Sequence, residues 1–239
     1  DFGIFNGALS GSVDYYTRTS DQLLLNNPVS GTTGFSNALV NLGKVQNRGI
    51  ELELRTRNIS KQDFKWSSTL IASKNKNELL DFLGSPYPDL VWSFSNDFQI
   101  GNFDVSFMVQ GSHGAEVRNM GDQYIFNHFN SAQDFISTTP NQEFIRQKIF
   151  TNDIVQDASY IALRNLNVGY NFTGNSLSKL KVSSARIYMA AQNLFYITAS
   201  DYTGFNPESI NNTSATTYGY QRAGSPVFST VSIGLNVQF

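Results

Sequence analysis

The 239-residue chain contains no cysteine, which removes disulfides, thiolate metal sites and cysteine nucleophiles in one step. Its longest unbroken apolar run is five residues, Ile187 to Ala191, far short of the ~20 that a membrane-crossing helix needs. Charged residues make up 15% of the chain and nearly cancel, to a net charge of -2, so there is no basic footprint for nucleic acid. Histidine is confined to His113 and His128, both in a long polar stretch and outside any His-Glu-x-x-His arrangement. They read as ordinary loop histidines rather than metal ligands. Gly-x-Ser-x-Gly, Walker and Gly-x-Gly-x-x-Gly patterns are missing too, leaving hydrolase and nucleotide-binding readings unsupported. No catalytic residue, metal site or cofactor is expected.

What the chain has in quantity is rings, 19 Phe, 11 Tyr and 2 Trp, at a mean hydropathy of -0.26. Many rings and few charges suit a wall that touches lipid and carries interfacial aromatics. The polar average follows when every second residue is polar. The last strand shows this most clearly. Val231, Ile233, Leu235, Val237 and the terminal Phe239 alternate with Thr230, Ser232, Gly234, Asn236 and Gln238. The first set is expected to face lipid and the second a lumen, with Val231 to Phe239 as the closing strand and assembly signal of an outer-membrane β-barrel.

The same alternation recurs upstream. Leu9, Gly11, Val13 and Tyr15 share one face of a strand, as do Ile50, Leu52 and Leu54 against Glu51, Glu53 and Arg55. Phe64 to Ala72, Trp92 to Ile100, Phe103 to Val109 and Ala185 to Ala191 repeat it. Leu166, Val168, Tyr170 and Phe172 form another face, but Ile161 and Leu163 fall on the opposite parity, so a bulge is expected near Arg164. Short turns are expected at Asn6-Gly7, where Asn-Gly tolerates positive φ, around Ser60, at Gly101-Asn102 and around Asn175. Long loops are expected at 21–45, 75–88, 113–156 and 196–226. Strict alternation of short and long connections is the habit of outer-membrane barrels, with short periplasmic turns and long extracellular loops. With the partial strand at Asp1-Phe2-Gly3-Ile4-Phe5, about nine strands result. Nine is odd and leaves two bare edges, so further strands are expected upstream.

In order and spacing the chain resembles the carboxyl-terminal barrel of the SusC/RagA family of TonB-dependent outer-membrane transporters of Bacteroidetes. The segments that carry the resemblance include Leu9-Ser-Gly-Ser-Val-Asp-Tyr-Tyr16, Asn47-Arg-Gly-Ile-Glu-Leu52 and Ser159-Tyr-Ile-Ala-Leu-Arg-Asn165. Ala191-Gln-Asn-Leu-Phe195, Gly204-Phe-Asn-Pro-Glu208 and the ending Gly234-Leu-Asn-Val-Gln-Phe239 complete it. Two departures stand out. Asn206 occupies a position where the family pattern has Asp, and the stretch before the Pro88 strand is short. The resemblance implies an all-β, antiparallel transmembrane β-barrel, with about nine carboxyl-terminal strands of a 22-stranded plugged barrel. Residues 1–239 would be the carboxyl-terminal part of a single barrel domain, without the plug and upstream strands. It further implies TonB, engaged through the missing amino-terminal part, a SusD-like surface lipoprotein, and uptake of oligosaccharides or peptides. A siderophore or cobalamin receptor, or a structural or secretion-associated barrel, is the alternative.

Among individual residues, Glu51 and Glu53 are about 7 Å apart on one strand face, within the span of an inverting glycosidase pair. Both point the same way with no cleft between them, so a hydrated lumen wall paired with Arg55 or Arg48 is the favoured reading. Trp66, Phe64, Tyr170 and Phe172 near the short-turn ends read as an interfacial girdle. Tyr202, Phe205, Tyr218 and Tyr220 in the last long loop are the candidate ligand- or partner-binding rings.

Overall fold

Period-two patterning places one set of side chains on each side of an extended backbone, and ladder pairing between such segments builds the molecule. The computed structural model describes residues 1–20, 24–28, 37–41, 45–78, 85–119, 154–172, 182–209, 219–221 and 224–238. Its strands are β1 (Phe2–Ile4), β2 (Leu9–Ser20), β3 (Leu24–Pro28), β4 (Asn37–Asn41), β5 (Val45–Ser60), β6 (Phe64–Glu78) and β7 (Leu90–Ile100). They continue with β8 (Phe103–His113), β9 (Glu116–Asn119), β10 (Val155–Asp157), β11 (Tyr160–Phe172), β12 (Ser184–Thr198), β13 (Tyr220–Gln221) and β14 (Thr230–Gln238). Among the described residues, nine strands form one sheet in the order β1-β2-β5-β6-β7-β8-β11-β12-β14. Every pair in it is antiparallel. This is the all-β antiparallel wall that the alternation implies, with the expected number of strands.

Register confirms which residues share a face. Leu9, Val13, Ile50 and Leu52 lie on the same side as Leu70, Phe94 and Phe107, continuing through Leu166, Ala191 and Val231. Ile187 pairs with Leu235 and Met189 with Ile233 on that side. Nothing among the described residues covers it. Ile233 is 78% exposed, Leu235 63% and Val231 59%, and no large side chain among the described residues is fully buried. A soluble sheet would place such a face against a second layer. The other face carries Asp14, Glu51, Glu53, Asp97, Asp104, Asn167, Arg186 and Ser232, with Ile71, Val91 and Met108 as apolar exceptions. On the apolar side the polar residues include Thr56, Lys74, Ser68 and Asn96, and the last two are satisfied within the sheet. Asn96, 3% exposed, accepts from Trp66 Nε1 at 3.0 Å and Ser68 Oγ at 2.7 Å. Ser68 Oγ in turn accepts from Asn58 Nδ2 at 2.8 Å.

The bulge expected near Arg164 is present, as a register shift between Leu163 and Asn165 against both β8 and β12. A second lies between Arg57 and Ile59. Gly101 turns the β7–β8 hairpin at φ 57 with Ile100 and Phe103 paired, the arrangement of a II′ turn. The first turn is longer than Asn6-Gly7 alone. Ile4 pairs with Leu9, and Phe5, Asn6 and Gly7 all have positive φ.

Two expectations are corrected. Strands run further at the long-connection end than alternation shows: β6 reaches Glu78, β12 reaches Thr198 and β8 reaches His113. Ladder hydrogen bonds persist there through polar residues at the ends of β6 and β8, and in β12 beyond the register shift at Asn193 and Leu194 that interrupts the alternation. The long loops are not irregular throughout, since β3 pairs with β4, and β10, β9 and β13 form a three-stranded sheet. The turn expected around Asn175 lies outside the described residues.

Candidate functional site: the polar face and its loop platform

At the short-turn end the polar face is hollowed into a concavity of about 610 Å³, lined by Arg55, Arg57, Lys65, Asp97, Gln99 and Asp104 among others. Next to it Arg186 clasps Asp104 through Nε at 3.0 Å and Nη2 at 2.5 Å. Asn171 Nδ2 donates to the same carboxylate at 2.7 Å. The Arg186 guanidinium also lies 4.9 Å from the Tyr188 ring centre. Glycine makes this possible. A Cβ on Gly169 would fall 2.5 Å from the Arg186 guanidinium, and one on Gly234 would overlap the Tyr188 ring. Glu53 pairs with Arg55 at 2.5 Å, and Glu51 shares its face, opposite Asp14 and Ser73. Both carboxylates therefore stand on one wall of the sheet.

The aromatic residues near the short turns pack edge to face, Phe103 on Tyr170 at 4.7 Å and Tyr170 on Phe172 at 5.0 Å. Trp66 stacks on Phe98 at 5.7 Å. At the other end His113 stacks on Trp92 at 6.5 Å, while His128 lies outside the described residues. No cluster of metal-ligating side chains occurs among the described residues.

Above the sheet the long connections knit into a platform. Ala115, Val117, Ala158 and Tyr202 form its apolar core. Asn119 Nδ2 donates to Gln156 Oε1 at 3.0 Å and to Thr203 Oγ1 at 3.1 Å. Gln156 Nε2 reaches the same threonine at 3.0 Å, so these buried amides are paired, as buried polar groups must be.

The four candidate rings separate here. Tyr202 is 8% exposed and donates to Gln221 Oε1 at 2.8 Å. Burial pushes its phenol up to about 12, against the opposing pull of its Gln221 and Asn206 hydrogen bonds. Tyr220 is half-buried, with Arg118 Nη1 donating to its hydroxyl at 2.5 Å and the guanidinium 5.3 Å from its ring. Phe205 is 65% exposed and borders a 270 Å³ crevice with Phe195, Pro207 and Pro226. Tyr218 lies outside the described residues. Of the closing-strand set, Val231, Ile233, Leu235 and Val237 stand on the exposed apolar face, and Phe239 lies outside the described residues. The Asn206 departure has a local use. Its Oδ1 accepts from the Glu208 amide at 2.9 Å while its Nδ2 donates to Ser225 O at 3.3 Å, and an aspartate could make only the first.

One cluster escapes facial patterning. Arg164, carried onto the polar face by its bulge, donates from Nε to Gln110 at 2.6 Å and from Nη2 to Tyr160 at 3.2 Å. It also contacts Asn193, Tyr196 and Glu208. The parity break at Arg164 marked the place but not these partners, which, Tyr160 of its own strand aside, come from three other segments.

An antiparallel wall with one uncovered apolar face, a polar hollow opposite and a platform of long loops at one end defines a barrel-wall protein of the membrane-spanning kind. The family model described as TonB dependent receptor-like, beta-barrel matches residues 2–194, and the chain belongs to that family, whose barrels are outer-membrane proteins. TonB-dependent receptor P3 of Formosa agariphila is 26% identical over 333 aligned positions, covering 100% of this chain and 33% of the relative. TonB-dependent receptor SusC of Bacteroides thetaiotaomicron is 26% identical over 154 positions, covering 53% of this chain and 15% of that protein. A solved structure of the RagAB peptide importer in its open-open state superposes with a TM-score of 0.73, covering 99% of this chain and 33% of that one. At 17% identity this likeness speaks to fold. The chain spans about a third of the length of receptor P3 and of the RagAB chain that it matches. The alignment with receptor P3, longer than the 239 residues here, shows that this relative carries extra residues inside the matched region.

Proposed function

We propose that the chain is the carboxyl-terminal part of the barrel of a SusC-like, TonB-dependent outer-membrane importer of oligosaccharides or peptides, without enzymatic activity. The observation that carries this is the pairing of an uncovered apolar face with a polar face that holds Asp104–Arg186 and Glu53–Arg55. The first suits lipid and the second a hydrated lumen. The barrel closes with further strands beyond β1 and β14, to 22 in all around a plug. The short turns lie in the periplasm and the loop platform outside the cell, where a SusD-like lipoprotein sits over it. TonB acts through the remainder of the protein. Phe205 is the ring best placed for a ligand or partner, with Tyr220 and Tyr218 nearby in sequence, whereas the buried Tyr202 supports the platform.

The test is uptake of labelled oligosaccharide and peptide pools by cells with and without the full-length protein, each with TonB present or deleted. Uptake that needs both supports the reading. Outer-membrane protein with no TonB-dependent uptake of either pool overturns it. Val231 to Phe239 serve assembly in this reading. Deleting Phe239 removes an apolar contact worth at most about 1.5–3 kcal/mol, which a finished barrel tolerates. The expected outcome is a sharp fall in outer-membrane abundance with near-normal uptake per surviving molecule. Normal abundance with abolished uptake would contradict it.

A further inference from the structure

We infer that Arg164 is a positioning residue, which ties the loop platform to the barrel wall through Glu208. Three observations carry the inference. First, the guanidinium is set in place by the wall itself. Gln110 of β8 accepts from Nε at 2.6 Å, and Tyr160 of β11 accepts from Nη2 at 3.2 Å. Asn193 and Tyr196 of β12 take Nη1. The rings of Tyr160 and Tyr196 flank its charge at 5.6 and 5.2 Å, a cation–π arrangement on two sides. An arginine held by so many fixed partners is pre-organised, and planar multidentate binding of this kind is what lysine cannot supply.

Second, among the described residues Glu208 is the contact of Arg164 that comes from the platform. It lies in the connection after β12, and its carboxylate meets Arg164 Nη2 and comes within 3.5 Å of the Tyr196 hydroxyl. The side chains are only 16% and 32% exposed, so water screens the pair less than a surface ion pair. Third, the segment around Glu208 is wired into the rest of the platform. The Glu208 amide donates to Asn206 Oδ1 at 2.9 Å, and Gln221 Nε2 donates to the Asn206 carbonyl at 3.1 Å. Thr203 joins the Asn119–Gln156 network, and Tyr202 sits in the apolar core. A pull on Glu208 is thus a pull on the whole platform.

The bulge explains why the tether is possible. Ile161 and Leu163 stand on the apolar face with Leu166 and Val168, and the extra residue between them is the arginine that turns inward. Opposite it β12 spends two residues, Asn193 and Leu194, with Asn193 at φ 50. The wall is deformed on both strands where the loop is attached. When Glu208 departs, Arg164 keeps its wall partners and is not orphaned. The contact can therefore be made and broken without unravelling the barrel.

The experiment is hydrogen–deuterium exchange on the purified full-length protein in lipid, following peptides that span 203–209, with outer-membrane abundance as the folding control. Its readout does not depend on what the protein carries, so it stands apart from the import test. Glu208→Gln keeps the shape and removes the charge. It should leave abundance unchanged and raise exchange of 203–209 about tenfold, the size expected for one charge-assisted hydrogen bond. Arg164→Lys, which keeps the charge but not the fork, should fall between wild type and Glu208→Gln. Glu116→Gln, an exposed carboxylate of β9, should leave 203–209 as in wild type. Wild-type protection in Glu208→Gln would overturn the inference, as would equal loosening by Glu116→Gln.

Discussion

Glycine and tyrosine show how single residues shape the polar face. Tyr188 can lie flat across β14 because Gly234 offers no Cβ. Gly234→Val forces the ring off the wall, and overpacking of that kind costs about 1–3 kcal/mol. The loss should appear as a lower unfolding midpoint in a denaturant titration of the full-length protein, while Gly3→Val, where nothing lies within 4 Å, should leave it unchanged. Tyr202 makes a prediction about pH. Its phenol is raised from 10.0 to about 12, so the platform favours the neutral form. That contribution is whole below about pH 10 and is lost as the pH climbs to about 12. Tyrosinate absorbance should show one late-titrating phenol fewer in Tyr202→Phe than in the wild type. A phenol that titrates at its ordinary position would contradict the burial.

At the scale of strands, faces decide the cost of a charge. Ile233 stands on the apolar face and the adjacent Ser232 on the polar one. Arginine at Ile233 should cost roughly 2–4 kcal/mol near the bilayer midplane, and arginine at Ser232 far less. Equal destabilisation in a membrane-refolding titration would contradict the assignment of faces. These faces were legible in the sequence because a period of two survives any choice of loop. So was the bulge, because Ile161 and Leu163 break parity with Leu166 and Val168. The short strands were not legible. Val155–Asp157 and Tyr220–Gln221 find β9 across long stretches of chain, and two or three polar residues carry no period. The Arg164–Glu208 contact was hidden for the same reason: its partners are 44 positions apart, and only the bulge marks one of them. Tyr202 looked like a ring on offer because a loop sequence says nothing of the small core it enters.

For the whole molecule, two surfaces meet different surroundings across one sheet. Nine strands with an uncovered apolar face cannot be a soluble layer, and the membrane removes the conflict by covering that face. β-strands can cross only where every backbone group is paired, and the eight antiparallel ladders between the nine strands supply most of that pairing, leaving the outer edges of β1 and β14, and of β2 beyond Gly11, without a described partner. Barrel closure requires partners for these edges. The absence of cysteine from these 239 residues means that no native thiol in this part of the wall competes for the label in the decisive measurement. Single cysteines placed in turn at 231 to 237, in the full-length protein in bilayers, can each carry a fluorophore exposed to a lipid-confined or a water-soluble quencher. Lipid quenching at 231, 233, 235 and 237, alternating with aqueous quenching at 232, 234 and 236, is the expected result. A uniform response along the strand, or aqueous quenching at every position, would contradict the membrane-spanning wall.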